Sequence, residues 1–229
     1  MSYNLKTEPI IATADDLRRI CQARLAKAPT DAVFSAHHIP ARGDHDLNDL
    51  NDDKDIEAGL ISDKKTPKPA AVLVPIIARP AGLSILLTER QKDLNSHGGQ
   101  ISFPGGKVEQ ADNSPLEAAL RETHEEVGIE QKFVELLGFC DDYQTVTGYR
   151  IVPVVGLVGD GFALQADPGE VANIFEVPFE FLMDTSNHRK DSLIWQGKRR
   201  HYFAMPFKTH YIWGATAGIL KNLHERLYG

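Results

Sequence analysis

A short glycine-rich segment and the acidic helix that follows it place the strongest constraint on this chain. The segment is residues 103–107 (FPGGK), and the acidic stretch is residues 121–129 (RETHEEVGI). Glu122, Glu125 and Glu126 are spaced i, i+3 and i+4, so their side chains share one helix face. Like charges at that spacing cost roughly 0.2–0.5 kcal/mol per pair, which a divalent cation with oxygen ligands would remove. The pattern predicts a metal site against a phosphate-bearing substrate, although the three carboxylates alone would also suit a solvated helix face.

The start of this helix is specified by its capping residues. Ser114 can cap the helix, Pro115 suits the first helical position, and Glu117 would complete a capping box. Gly128 supplies the C-terminal turn. We expect the carboxylates to lie largely off the buried stripe and to face a cleft, because that stripe consists of Leu116, Ala119, Leu120, Thr123 and Val127.

Composition narrows the class of protein. The chain has 229 residues and a net charge of −7, which argues against a nucleic-acid partner bound through a basic surface. Cys21 and Cys140 form no CxxC motif, so we expect free thiols. We find neither a membrane-length apolar run nor a signal-peptide pattern, so we expect no membrane association and a cytoplasmic location.

Hydrophobic periodicity divides the chain into an extension and a main domain. We predict an N-terminal helical extension and acidic linker over residues 1–66, with a helix at 13–28 and a solvated stretch at 41–57, followed by one domain over 67–229. Whether the extension packs on its own domain or on a partner copy, in a homodimer, is left open. Within the domain we predict strands at 70–78, 83–89, 133–140 and 149–158, a hairpin at 192–205 and a final helix at 212–227.

The glycine loop and acidic helix resemble the Nudix box, whose pattern is G-x5-E-x7-R-E-U-x-E-E-x-G-U with U a bulky apolar residue. Residues 121–129 match it except for Thr123 at an apolar position. The loop is longer by one residue, and the Asp112-Asn113 pair replaces the first Glu. Both differences resemble the coenzyme A pyrophosphatase branch, as do residues 86–90, 99–106, 147–149, 153–155 and 212–217.

The resemblance implies an α/β fold, the Nudix α/β/α sandwich, with a mixed sheet and a loop–helix–loop catalytic motif. It also implies Mg²⁺ or Mn²⁺ as cofactor, held by Glu122, Glu125, Glu126 and the backbone carbonyl of Gly105. Glu122 would serve as a shared ligand or as the general base.

Further site residues are also predicted. Arg121 would orient the metal ligands, and a surface ion pair on the helix is the alternative. Glu170 would act as general base or extra ligand, unless it is an ordinary exposed loop residue. Arg90, Lys107 and His97 are expected to bind substrate, against the alternatives of solvated surface charges and a hydrogen-bonded loop histidine.

The predicted activity is metal-dependent hydrolysis of the pyrophosphate bond of coenzyme A or acyl-CoA, giving 3′,5′-ADP and (acyl-)4′-phosphopantetheine. Gln91 and Asn95 stand where that branch has a small residue and an arginine. They motivate a second hypothesis, a pyrophosphatase for ADP-ribose, NADH or dinucleoside polyphosphates. A third hypothesis is a nucleotide-binding module without activity, which the intact carboxylate trio argues against, because binding alone requires no base beside a metal.

Overall fold

The computed structural model describes residues 9–47, 66–93, 98–195 and 198–229. The described elements, in chain order, are α1 (Ala14–Arg24), β1 (Arg42–Gly43), β2 (Lys68–Arg79), β3 (Gly82–Arg90), β4 (Ile101–Ser102), β5 (Gly105–Lys107), α2 (Pro115–Val127), β6 (Val134–Phe139), β7 (Tyr143–Gln144), β8 (Tyr149–Val158), β9 (Val171–Pro178), α3 (Phe179–Met183), β10 (Arg189–Trp195), β11 (Lys198–Phe207), β12 (His210–Trp213) and α4 (Ala215–Tyr228). Short 3₁₀ turns lie at Asp44–Leu47, Gln131–Phe133 and Thr185–Asn187.

A mixed sheet forms the centre of the fold. Its described strands run in the order β1-β7-β8-β2-β3-β4, with β5 also paired to β2, β6 to β8, and β9 to β3. Strands β2 and β8 are parallel over ten residue pairs from Lys68↔Tyr149 to Ile77↔Val158. Strands β10, β11 and β12 form a second, antiparallel sheet.

Both faces of β2 are buried, which explains its nearly continuous apolar sequence. Val74 and Ile76 belong to the core cluster that contains residues of α1 and α4. Ala71 and Leu73 point to the opposite face, where they pack with Ala118 and residues of β8. Because strand side chains alternate between faces, β2 needs apolar residues at both parities. The predicted α/β/α sandwich with a mixed sheet is therefore confirmed.

The bounds of two predicted helices differ in the structure. Helix α1 is capped at Thr13 and ends at Arg24 instead of reaching residue 28, because Ala26 pairs with Phe139 of β6. The predicted final helix begins at Ala215 instead of Ile212, because residues 210–213 form β12 beside β11. Strand β9 and helix α3 were not predicted.

The described part of the N-terminal segment packs against the sheet. Leu17, Ile20 and Cys21 of α1 are buried in the main core cluster. Strand β1 pairs with β7, which corrects the expectation of a solvated stretch from residue 41 for at least residues 42–47. The domain division at residues 66 and 67 stays a prediction. None of the described helices combines the length and the apolar character needed to cross a membrane.

Candidate active site

The loop–helix–loop motif lies against the middle of the sheet. Strand β5, which carries the two glycines, pairs with β2 through Val72↔Gly105 and Ala71↔Gly106. Helix α2 begins where Ser114 Oγ accepts a hydrogen bond from the Glu117 backbone N–H at 3.2 Å. The capping box is incomplete, because Glu117 accepts from the backbone N–H of Asn113 instead of Ser114. This packing brings the glycine loop and the acidic helix together.

Each glycine of the loop leaves room for a different neighbour. At Gly105 the backbone has φ 151°, and a Cβ would lie 2.5 Å from the Ala71 carbonyl oxygen. At Gly106 a Cβ would lie 2.4 Å from Glu122 Cδ and 2.5–2.6 Å from both of its carboxylate oxygens. The second glycine therefore provides the space in which the Glu122 carboxylate sits over the loop.

Glu126 is buried behind the loop, which corrects the expectation that the carboxylates lie off the buried stripe. Only 3% of the Glu126 surface is exposed to solvent. The Gly105 backbone N–H donates to one carboxylate oxygen at 3.1 Å, and Arg90 Nη1 donates to the other at 3.3 Å. Burial raises the pKa of Glu126 to about 7 despite these donors.

Arg121 connects the acidic helix to the loop. Its Nε and Nη2 donate to the two carboxylate oxygens of Asp112 at 3.1 and 3.0 Å, and its Nη2 also donates to the Lys107 carbonyl. Its Nη1 donates at 3.0 Å to both Glu122 and Glu125. The hydrogen bond from Arg121 lowers the pKa of Asp112 below its usual value. Arg121 thus contacts Asp112, Glu122 and Glu125 together, with Asp112 as its bidentate partner, and its orienting role stays a prediction.

The three box carboxylates occupy different environments. Glu122 is mostly buried, and burial is the main cause of its raised pKa, with the Glu125 and Glu170 charges adding to it. The Glu125 side chain is 56% exposed and lies against Arg121. Within the described residues, no three Asp, Glu, His or Cys side chains are grouped closely enough to form a preformed metal site. The assignment of Glu122, Glu125, Glu126 and Gly105 as metal ligands stays a prediction.

The oxygen donors nevertheless suit a hard divalent cation. The charges of Glu125 and Glu170 raise the pKa of Glu122, and the charges of Glu122 and Glu170 raise the pKa of Glu126. A carboxylate has about four lone-pair sites, so Glu126 retains acceptor capacity beyond its two observed donors. Partly buried carboxylates that repel each other are the groups whose charge a cation would compensate.

Glu170 lies on a loop that Gln91 holds in place. Arg90 Nη2 lies 3.4 Å from Glu170 Oε2, so Arg90 contacts both Glu126 and Glu170. The Gln91 backbone N–H donates to the Glu170 carbonyl at 2.8 Å, and its side-chain amide donates to the Pro168 carbonyl at 3.1 Å. The unusual glutamine thus holds the Glu170 loop against β3. The other departure, Asn95, and the predicted substrate ligand His97 lie outside the described residues.

A cavity of about 660 Å³ opens beside the loop. The predicted site residues Arg90, Gly105, Lys107, Glu122 and Glu170 all line it. A second part of the wall was not predicted and comes from Asp44, the Thr145–Thr147 turn, β11, β12 and the start of α4.

Two further features of the site were also not predicted. Asp112 was noted only as a departure from the box, although an acidic residue replacing the first Glu already indicated a partner for Arg121. The hairpin at 192–205 was predicted, but its polar and aromatic face was not, although the alternation in residues 199–206 (RRHYFAMP) could have indicated it.

Comparison with known proteins identifies the family of the chain. A NUDIX domain model matches residues 67–195. An "Uncharacterized Nudix hydrolase NudL" of Photorhabdus laumondii subsp. laumondii is 39% identical over 158 residues, covering 69% of this chain and 84% of that protein. The protein of the same description from Escherichia coli O6:H1 is 37% identical over 154 residues, covering 67% and 80%.

One solved structure similar to this chain is the NUDIX domain of Shewanella oneidensis NrtR complexed with ADP ribose. It aligns with a TM-score of 0.43 and 20% identity over 52% of this chain and 77% of that one.

The family model covers more than half of the chain, including the glycine loop beside Glu122 and the helix that carries Glu126. The chain therefore belongs to the Nudix hydrolases and is a pyrophosphohydrolase.

Proposed function

We propose that this enzyme hydrolyses the pyrophosphate bond of coenzyme A or its thioesters, giving 3′,5′-ADP and 4′-phosphopantetheine or its acyl form. The observation that carries the proposal is the cavity that joins the box carboxylate Glu122 and the loop carboxylate Glu170 to a second wall outside the family-matched residues. A substrate with a large group on each side of its pyrophosphate needs such a two-part site. The longer loop and the motifs flanking the box support coenzyme A as that substrate.

The chain's own residues suit hydrolysis of a phosphoanhydride. Arg90 and Lys107 line the cavity beside the carboxylates and can neutralise phosphate oxygens. Glu122 and Glu170 line the same cavity and are the candidates to accept the proton of the attacking water. Arg121 orients Glu122 and Glu125 through its hydrogen bonds.

Mg²⁺ or Mn²⁺ would be held by Glu122, Glu125, Glu126 and the Gly105 carbonyl. When bound, the metal would lower the pKa of a water molecule and polarise the phosphoryl oxygens. To bind the metal, Glu125 would have to turn away from Arg121, and its exposed side chain is free to make that movement.

A substrate panel tests the proposal. Coenzyme A, acetyl-CoA, ADP-ribose, NADH and a dinucleoside polyphosphate are compared by kcat/KM with Mg²⁺ and with Mn²⁺. We expect coenzyme A or its thioester to be the best substrate and chelation by EDTA to abolish turnover. If coenzyme A is the poorest of the panel, the substrate assignment is wrong.

Glu125→Gln tests the metal-ligand assignment and the enzymatic role together. We expect loss of hydrolysis with the thermal unfolding midpoint nearly unchanged, because exposed ion pairs contribute little to stability. Glu130→Gln is the matched control, an exposed glutamate on the loop after α2 that pairs with Lys132. Full activity in Glu125→Gln would contradict the ligand assignment, and a wild-type protein that binds nucleotides without turnover would favour a binding module.

A further inference from the structure

The sheet of β10, β11 and β12 has two different faces. Met205 and Ile212 point to one face and are fully buried in the main core cluster. Because side chains alternate along a strand, Tyr202 and Trp213 point to the opposite face. Tyr202 and Trp213 line the same cavity as Glu122 and Glu170. The core thus fixes the register of this sheet and leaves its second face toward the cavity.

The cavity face of this sheet is aromatic and carries a cation. The rings of Tyr202 and Trp213 form an edge-to-face pair with centroids 5.0 Å apart. Arg200 precedes Tyr202 by two residues on β11, so it shares the same face, and it also lines the cavity. Thr216 Oγ1 at the start of α4 donates to the Ile101 carbonyl at 3.0 Å, which ties the sheet's far end to the main sheet.

These groups select for a planar ring more than for a flexible chain. Nucleobases stack on aromatic side chains irrespective of their hydrogen-bonding edges, because each base has a π-face. A pantetheine arm is an extended chain of amides and methylenes, and its recognition would call for amide partners instead of two rings. A guanidinium on the same face suits an anionic substituent on the ribose.

We propose that the face formed by Tyr202, Trp213 and Arg200 binds the nucleoside half of the substrate, with the base against the two rings. The inference rests on the proposed hydrolysis of a nucleoside diphosphate derivative and assigns the orientation of that substrate. The nucleoside lies toward β11 and β12, and the second half of the substrate extends from the glycine loop in another direction. Residues 198–229, outside the family-matched range, then determine the nucleotide specificity.

Tryptophan fluorescence gives a direct test. The chain has two tryptophans, Trp195 and Trp213, so Trp195→Phe leaves Trp213 as the single reporter. AMP and 4′-phosphopantetheine are titrated separately, since neither contains a pyrophosphate bond to hydrolyse. We expect AMP to change the Trp213 emission saturably and phosphopantetheine to leave it unchanged. A response to phosphopantetheine alone, or to neither ligand, would overturn the proposal.

A substitution pair provides the second measurement. Trp213→Leu should weaken AMP binding about tenfold by calorimetry, as expected for loss of one stacking partner. Ile194→Ala is the control, because Ile194 lies on β10 of the same sheet, is 75% exposed and does not line the cavity. Equal losses in both variants would indicate a structural effect and overturn the assignment.

The whole-substrate panel separates the two proposals. If Trp213 responds to AMP but coenzyme A is not hydrolysed, the proposed substrate fails and the nucleoside subsite stands. If coenzyme A is hydrolysed but AMP does not change the Trp213 emission, the nucleoside subsite is wrong and the proposed function stands.

Discussion

Replacing Gly106 by alanine should separate catalysis from folding. The added Cβ would lie 2.4 Å from Glu122 Cδ, whereas non-bonded carbon atoms pack at about 3.5–4.0 Å. The carboxylate must therefore retreat by about 1 Å. A displacement of that size from the productive geometry can lower the rate about 100-fold, or about 2.7 kcal/mol in activation free energy.

The cost to stability should be small, because the group that moves is the end of a side chain. Shifting Glu122 away from its preferred rotamer costs about 1 kcal/mol. Gly105→Ala should be more destabilising than Gly106→Ala, because its Cβ would clash with backbone atoms of Ala71 and Val72, which cannot move by a rotamer change. We expect Gly105→Ala to lower the free energy of unfolding by about 1–3 kcal/mol.

Steady-state kinetics with the preferred substrate and urea unfolding would measure both effects. Gly159→Ala is the control, since its Cβ would have only an ordinary 3.7 Å contact with the Phe133 carbonyl oxygen. A fully active Gly106→Ala would refute the link between the second glycine and the Glu122 position. Unfolding of Gly106→Ala as severe as that of Gly105→Ala would show that the backbone, not the side chain, takes up the strain.

Three further substitutions test other contacts of the site. Asp112→Asn should reduce the free energy of unfolding by about 1.5–3 kcal/mol in urea titrations and lower kcat, because Arg121 loses its bidentate charged partner. Unchanged values for both would show that Asp112 does not hold Arg121. Gln91→Ala should lower kcat severalfold with little loss of stability, since it removes the side-chain hydrogen bond to the Glu170 loop, of about 0.5–1.5 kcal/mol, and keeps the backbone one; unchanged kcat would contradict this role. Arg200→Gln should raise KM for coenzyme A without raising it for dephospho-CoA, and equal effects on the two substrates would exclude a contact with the ribose phosphate.

Local patterns in the sequence predicted the elements that depend on near neighbours. Ser114 predicted the start of α2 and Gly128 predicted its end, and the structure confirms both bounds. The apolar run at residues 70–78 predicted a strand, and β2 contains it. Periodicity and capping act within a few residues of chain, so they can be recognised without knowledge of the fold.

Helix spacing alone could not predict how buried each carboxylate would be. Glu125 and Glu126 are adjacent in the sequence, yet one is exposed and the other is 3% exposed. Consecutive helical residues are rotated by about 100°, so the packing of α2 against β2 and β5 decides which of them is buried. The same packing places Gly105 and Arg90 against Glu126.

The sequence by itself determined the reaction class, because the glycine loop and the three spaced glutamates are local features that define the chemistry. Tertiary structure alone decided what surrounds them. It brought Asp44 and Trp213, far apart in the chain, to one cavity, and it placed Gln91 under the Glu170 loop. Such contacts depend on strand pairing between distant segments, which no short-range pattern encodes.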